Sequence, residues 1–123
     1  MRFTQDSSSG VNLIRAYQTG ELRINDAVFH DSVILSASVI LTEPALREVT
    51  DLGAAHASRI LTLDPELVLL GTGQRQIFPA ALFGAQFLLA GIGFDVMDTG
   101  AACRTFNVLV AEQRRVVAVL LNR

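Results

Sequence analysis

The stretch Glu66-Leu-Val-Leu-Leu-Gly-Thr-Gly73 decides the fold. It is a short apolar strand running straight into a glycine-rich turn. Loop Gly71–Phe78 follows, and Pro79 suits the first turn of a helix, where its missing N–H is not needed. That helix runs to about Ala90, with Gly91 as its stop. A second strand, Gly93-Phe-Asp-Val-Met97, then runs into Asp98-Thr99-Gly100. Asp98 or Thr99 caps a helix over about Gly100–Glu112, and Arg114–Leu121 is a third strand. The order β-α-β-α-β calls for parallel strands joined by crossovers of one hand.

The N-terminal half has a different texture. Met1–Gly10 reads as a disordered tail around Ser7-Ser8-Ser9, and order is expected from Val11. Gly20–Asn25 alternates Leu22 and Ile24 with Arg23 and Asn25, the period of a half-buried strand. Asn25-Asp26 is a turn signal, and Ala27–Ser36 reads as the hairpin partner. Val39–Leu41 is a third β-branched run. Between Ala45 and Leu63 irregular structure is expected, with a short helix inside Gly53–Leu61. The expected fold class is α/β. An N-terminal antiparallel hairpin region joins a C-terminal βαβαβ unit in a mixed sheet or two sheet layers, with helices on one side.

At 123 residues, half of them apolar and 18% charged, residues 11–123 suffice for one domain with one good core. The ten basic residues are all arginine, and the formal net charge is −2. No basic stripe is present, which argues against nucleic acid as a partner. Arg114-Arg115 reads as a solvated turn. A single cysteine excludes an intrachain disulfide framework and a CxxC metal site, and it fits a reducing, cytoplasmic setting. The polar N-terminus shows no signal peptide. The near-apolar run Ile77–Ile92 is interrupted by Pro79 and Gln86 and is too short for a membrane span of about 20 residues.

Ligands in open α/β sheets bind where strands hand over to helices. The candidate cleft therefore comprises Gly71, Thr72, Gly73 and Thr99, with Arg75 and Arg104 as a clamp for a small carboxylate or phosphate. It is not a dinucleotide fingerprint, because Gln76 stands where the third glycine belongs, nor a P-loop, because the chain has no lysine. The plainer reading is a sharp turn in which glycine supplies positive φ. Arg104 either aims at this cleft or pairs with Asp95 or Asp98. Cys103, early in a helix and beside Arg104, has features that favour a thiolate, but a lone cysteine is more often a small buried hydrophobe. The only bases for it are His30 and His56. No catalytic set, no metal ligand spacing and no cofactor motif is expected. The helix Pro79–Ala90 is apolar all round apart from Gln86. A partner protein or a second copy of the chain is expected to cover it, with Phe83 and Phe87 in the interface.

Leu69-Leu-Gly-Thr-Gly-Gln-Arg-Gln-Ile-Phe-Pro79 and the stretch from Gly91 through Met97-Asp-Thr-Gly-Ala-Ala-Cys-Arg-Thr-Phe-Asn107 to Leu121 resemble a small single-domain family of largely unknown function. Asn12-Leu-Ile, Tyr17 and Gly20 also match its pattern, so the resemblance spans about Asn12 to Leu121. The family includes a mitochondrial assembly factor of respiratory complex I and an adipogenesis-associated protein. The resemblance implies a three-layer β/β/α fold with no established enzymatic activity, cofactor or catalytic residue. It also implies a binding or assembly module, here a bacterial and cytoplasmic one, that acts through protein partners.

Overall fold

The computed structural model describes residues 10–123, so most of the expected tail lies outside the described residues. Among the described residues the first three strands are β1 (Ile14–Gln18), β2 (Glu21–Ile24) and β3 (Ala27–Phe29), which form an antiparallel sheet in the order β1-β2-β3. Asn25 turns β2 into β3 with φ 56°, a left-handed conformation that asparagine tolerates. Strands β4 (Ser32–Leu35), β5 (Ile40–Glu43), β6 (Leu67–Gly71), β7 (Gly93–Met97) and β8 (Val116–Leu120) form a five-stranded mixed sheet in the order β5-β4-β8-β6-β7. The pairings β6–β7 and β6–β8 are parallel, whereas β4 pairs antiparallel with both β5 and β8.

The expected single strand Ala27–Ser36 is thus two strands. The break at His30-Asp31 lets the chain leave the small sheet after Phe29 and enter the large one at Ser32. Asn122 holds that corner, its Nδ2 donating to the carbonyls of Phe29 at 2.9 Å and Asp31 at 3.1 Å.

Three α-helices complete the described residues: α1 (Ala54–Leu61), preceded by a 3₁₀ turn at Val49–Asp51, α2 (Ala81–Leu89) and α3 (Thr99–Ala111). Helix α2 begins two residues after Pro79, because Ala80 is still extended at ψ 142°. Its stop is as expected, with Gly91 at φ 78°.

The helices do not share one side, contrary to the sequence expectation. The order β8-β6-β7 explains why. The crossover from β6 to β7 moves one way along the sheet, and the crossover from β7 to β8 moves back across β6. Two crossovers of the same hand that travel in opposite directions must use opposite faces. On one face Val33, Leu35, Leu69, Ala118 and Leu120 pack against α3, through Ala102, Phe106 and Val110, and against Leu22 and Ile24 of the small sheet. On the other face Ile34, Val68, Leu70, Val117 and Val119 pack against Ile60 of α1 and Phe83 and Phe87 of α2. The result is a three-layer β/β/α arrangement with α3 lying beside the small sheet. Strand β8 is buried on both faces, which is why it reads as an unbroken apolar run.

Arg114 and Arg115 do sit at an exposed turn. Glu66 ties it to β6, accepting from the Arg115 N–H and from Arg114 Nε, each at 3.0 Å. The Arg115 N–H and then the Arg114 side chain hold the Glu66 carboxyl below its usual range.

Candidate functional site

The loops after β6 and β7 leave for opposite faces of the sheet, so the crevice at their C-terminal ends is a topological switch point, where α/β proteins place ligands. Gly71, Thr72, Gly73 and Thr99 do meet there. A Cβ at Gly71 would lie 2.9 Å from Thr99 Cα and 3.0 Å from the Ala102 Cβ, so glycine is needed here for close approach. Gly73 serves the other purpose, with φ at 95°.

The crevice is closed by its own hydrogen bonds. Thr99 is fully buried, and its Oγ1 accepts from the Gly73 N–H and donates to the Leu121 carbonyl, both at 2.8 Å. The Thr99 N–H returns to the Gly73 carbonyl at 2.8 Å. The Thr72 hydroxyl donates to the Arg75 carbonyl and accepts from the Ile77 N–H at 3.0 Å. The N-terminus of α3 is filled by Asp98, whose Oδ1 accepts from the Ala101 N–H at 2.8 Å. One strand end, one helix start and the end of β8 are therefore pinned by a single threonine hydroxyl.

The two arginines of the expected clamp separate. Arg75 is exposed and lines a cavity of about 450 Å³ together with Thr72 and Gly73. Arg104 lines a different depression of about 190 Å³, beside Tyr17, Gly100 and Asn107. Five residues of α-helix correspond to about 500° of rotation, which carries Arg104 about 140° round α3 from Thr99 and away from the crevice. Among the described residues, Arg104 has no carboxylate within 4.0 Å, so the expected pairing with Asp95 or Asp98 is not formed either.

Cys103 is 6% exposed and packs in the core with Phe106. Burial pushes its thiol up to about 12, Arg104 opposes this, and Asp98 adds to it. A thiol with that pKa carries almost no thiolate at neutral pH. Labelling of the native protein with a thiol-specific reagent at pH 7 should be at least about a hundredfold slower than labelling of the urea-unfolded chain. Native labelling at the unfolded rate would restore the reactive-cysteine reading.

His56 is committed elsewhere. Its Nδ1 accepts from the Gly53 N–H at 3.1 Å at the start of α1, and its Nε2 lies 3.7 Å from Glu43 Oε1. His30 Nδ1 lies 3.2 Å from the Gly20 carbonyl. Among the described residues no group of three or more His, Cys, Asp or Glu side chains is placed to hold a metal ion.

Two polar side chains with structural roles were not read from the sequence. Asn107 accepts from the Ile14 N–H at 2.9 Å and donates to the Ile14 carbonyl at 2.8 Å, so one side-chain amide completes the backbone pairing of β1. Its signal is the one side-chain amide on a largely apolar helix. Gln76 Nε2 donates to the Val96 carbonyl at 2.9 Å. In β7 the Gly93 N–H and the Met97 carbonyl face β6, so alternation turns the backbone N–H and carbonyl groups of Phe94 and Val96, whose side chains pack against α2, to the outer edge. There Val96 is covered by Gln76 and by Asp95 Oδ1, 3.1 Å from its N–H, and the edge is blunted against strand addition.

The expectation for α2 needs a correction. Phe83 and Phe87 are 4% and 0% exposed and belong to the core. They form a cluster with Phe94, with ring centroids 5.3 to 5.8 Å apart. Gly84 makes room for it, since a Cβ there would lie 2.8 Å from the Phe94 ring. The spacing i, i+4 was read correctly as a shared face, but that face points inward. The outer face carries Leu82 at 80% and Leu89 at 89% exposure, with Leu88 and Phe78 beside them. No residue from 76 to 94 carries a charge. No helix among the described residues is long and apolar enough to cross a membrane.

The chain is similar to several known proteins. It is 31% identical over 108 residues to a 13 kDa major membrane protein of Francisella tularensis, covering 87% of this chain and 88% of that one. It is 29% identical over 120 residues to the NADH dehydrogenase [ubiquinone] 1 alpha subcomplex assembly factor 3 of Danio rerio, covering 95% of this chain and 68% of that one. The crystal structure of a Bordetella parapertussis protein superposes with a TM-score of 0.86 at 32% identity, covering 94% of this chain and 99% of that one. The family described as protein of unknown function, DUF498/DUF598, matches residues 14–121, which takes in every strand and helix above, and the chain belongs to that family.

Proposed function

We propose that this protein is a binding module that acts through protein–protein contacts in the assembly of a larger complex, a respiratory complex in particular. The outer face of α2 is its docking surface. The observation that carries this reading is that face itself: leucines at 80% and 89% exposure, flanked by Phe78 and Leu88, in a segment without charge. Large apolar side chains clustered on a surface mark an interaction site. A similar protein from Danio rerio bears the name of an assembly factor, which supports the same role. The lone buried cysteine is in keeping with the reducing cytoplasm.

The test uses the double variant Leu82→Glu, Leu89→Glu. Both side chains are exposed, so the fold should survive, as circular dichroism would show. Affinity purification of the wild-type protein from native bacterial membranes should enrich subunits of the respiratory complex at least about tenfold over the double variant. Equal recovery from both, or none from either, refutes the reading. Sedimentation identifies the remaining occupant: a wild-type dimer that the double variant converts to a monomer assigns the face to a second copy of the chain.

A further inference from the structure

We propose that the cavity ringed by Arg47, Arg75 and Arg123 binds a small organic anion, a carboxylate or phosphate monoester carrying a short apolar body. This site lies beside the switch-point crevice and is distinct from the α2 face. It is open where the crevice is closed. The three arginines come from three separate segments: the loop before the 3₁₀ turn, the loop after β6, and the residues following β8. No local motif announces it, which is why only Arg75 was singled out in the sequence.

Three observations converge. The first is charge. The remaining arginines close to an acid, Arg59, Arg114 and Arg115, sit within 4.0 Å of Glu43, Glu66 and Asp64. Among the described residues, Arg15, Arg23, Arg47, Arg75, Arg104 and Arg123 have no carboxylate at that distance, and three of these six line this one cavity. Glu48 is the one acidic residue lining the cavity, and the Asp51 carboxylate beside it accepts from the Arg47 and Glu48 N–H groups, so three arginines stand against two nearby acids. An oxyanion bound among these arginines would gain charge-assisted hydrogen bonds. The second is orientation. Arg123 Nη1 donates to the Arg47 carbonyl at 3.2 Å, which holds one guanidinium beside the segment that carries another. The backbone N–H groups of Gln74 and Arg75 make no backbone hydrogen bond among the described residues, and they follow Gly73 in its left-handed conformation. The third is the apolar part of the wall. Val49, Ile77 and Leu121 line the same cavity, so an anion with a few methylene groups fits better than a bare ion.

Size agrees. The cavity holds about 450 Å³, and an adjoining one of about 400 Å³ shares Arg47, Gln74 and Arg123 with it, so a longer anion has room to extend. Small-molecule sites span roughly 300–1,000 Å³ and combine apolar walls with a few fixed polar groups.

Calorimetric titration at constant ionic strength tests the proposal with hexanoate and hexyl phosphate against inorganic phosphate and hexanol. The expected result is saturable binding of hexanoate or hexyl phosphate, weaker binding of inorganic phosphate and none of hexanol. The tighter of the two amphiphilic anions assigns the head group. Arg47→Ala and Arg75→Ala should each weaken binding at least about tenfold, because each removes a charge-assisted hydrogen bond. Arg104→Ala, in its separate depression, should bind as the wild type does. Arg75 is an exposed loop side chain without an ion pair, so its variant serves as the decisive one should Arg47→Ala fail to fold. Absence of saturable binding by either amphiphilic anion, or binding that Arg75→Ala leaves unchanged, overturns the proposal.

Discussion

Replacing Phe87 with alanine is expected to lower the free energy of unfolding by about 3–5 kcal/mol. The ring is fully buried, stacked on Phe94 at 5.5 Å and met edge-on by Phe83 at 5.3 Å. Removing it takes away a large apolar area and leaves a cavity that the flanking strand and helix cannot close. Helix α2 has no ion pair and no side-chain cap to hold it otherwise. Urea unfolding should show a lower midpoint with an unchanged slope. The loss should not depend on protein concentration, because the contact lies within one chain. Leu89→Ala, on the outer face of the same helix, should change stability by less than about 0.5 kcal/mol. A loss below about 1 kcal/mol for Phe87→Ala would mean that α2 is not anchored as described.

The second large effect is at Thr99. Valine matches its shape but not its hydroxyl. The Gly73 N–H and the Leu121 carbonyl would each lose a partner in a site with no access to water. An unsatisfied buried group costs about 1–3 kcal/mol, so Thr99→Val should cost about 2–4 kcal/mol in all. Thr99→Ser keeps both bonds and loses one methyl group, so it should cost about 1 kcal/mol. Hydrogen exchange gives a local readout: the Gly73 amide should exchange faster in Thr99→Val and stay protected in Thr99→Ser. Equal stability of wild type and Thr99→Val would refute the role assigned to the hydroxyl.

These two residues show what the sequence made legible and what it did not. The C-terminal βαβαβ unit was readable because its apolar runs are separated by strong local signals: the glycine turn at 71–73, the Asp98 cap and the Gly91 stop. The sheet to which a strand belongs is set by distant partners. Thus β3 and β4 read as one run, although a two-residue corner held by Asn122 sends them into different sheets. The face on which a helix lands depends on strand order, and strand order is not a local property. Gly71, Thr72, Gly73 and Thr99 come together as their spacing suggests, but the threonine hydroxyls are spent on the fold. Arg104, expected either at the cleft or paired with an aspartate, lines a separate depression, and Phe83 and Phe87 face the core because an apolar helix does not announce which side faces in. Arg47 and Arg123 were invisible as a pair, being 76 residues apart.

The position of β8 has a consequence for how the chain acquires its structure. This last strand in the chain order lies between β4 and β6 and pairs Val33 with Leu120 and Gly71 with Leu120 on its two sides. Until it is in place, the β4–β5 pair cannot join β6 and β7, and the two halves of the large sheet cannot meet. Assembly of the large sheet during synthesis is therefore expected to wait until β8 has emerged, with the β4–β5 pair exposed to chaperones until then.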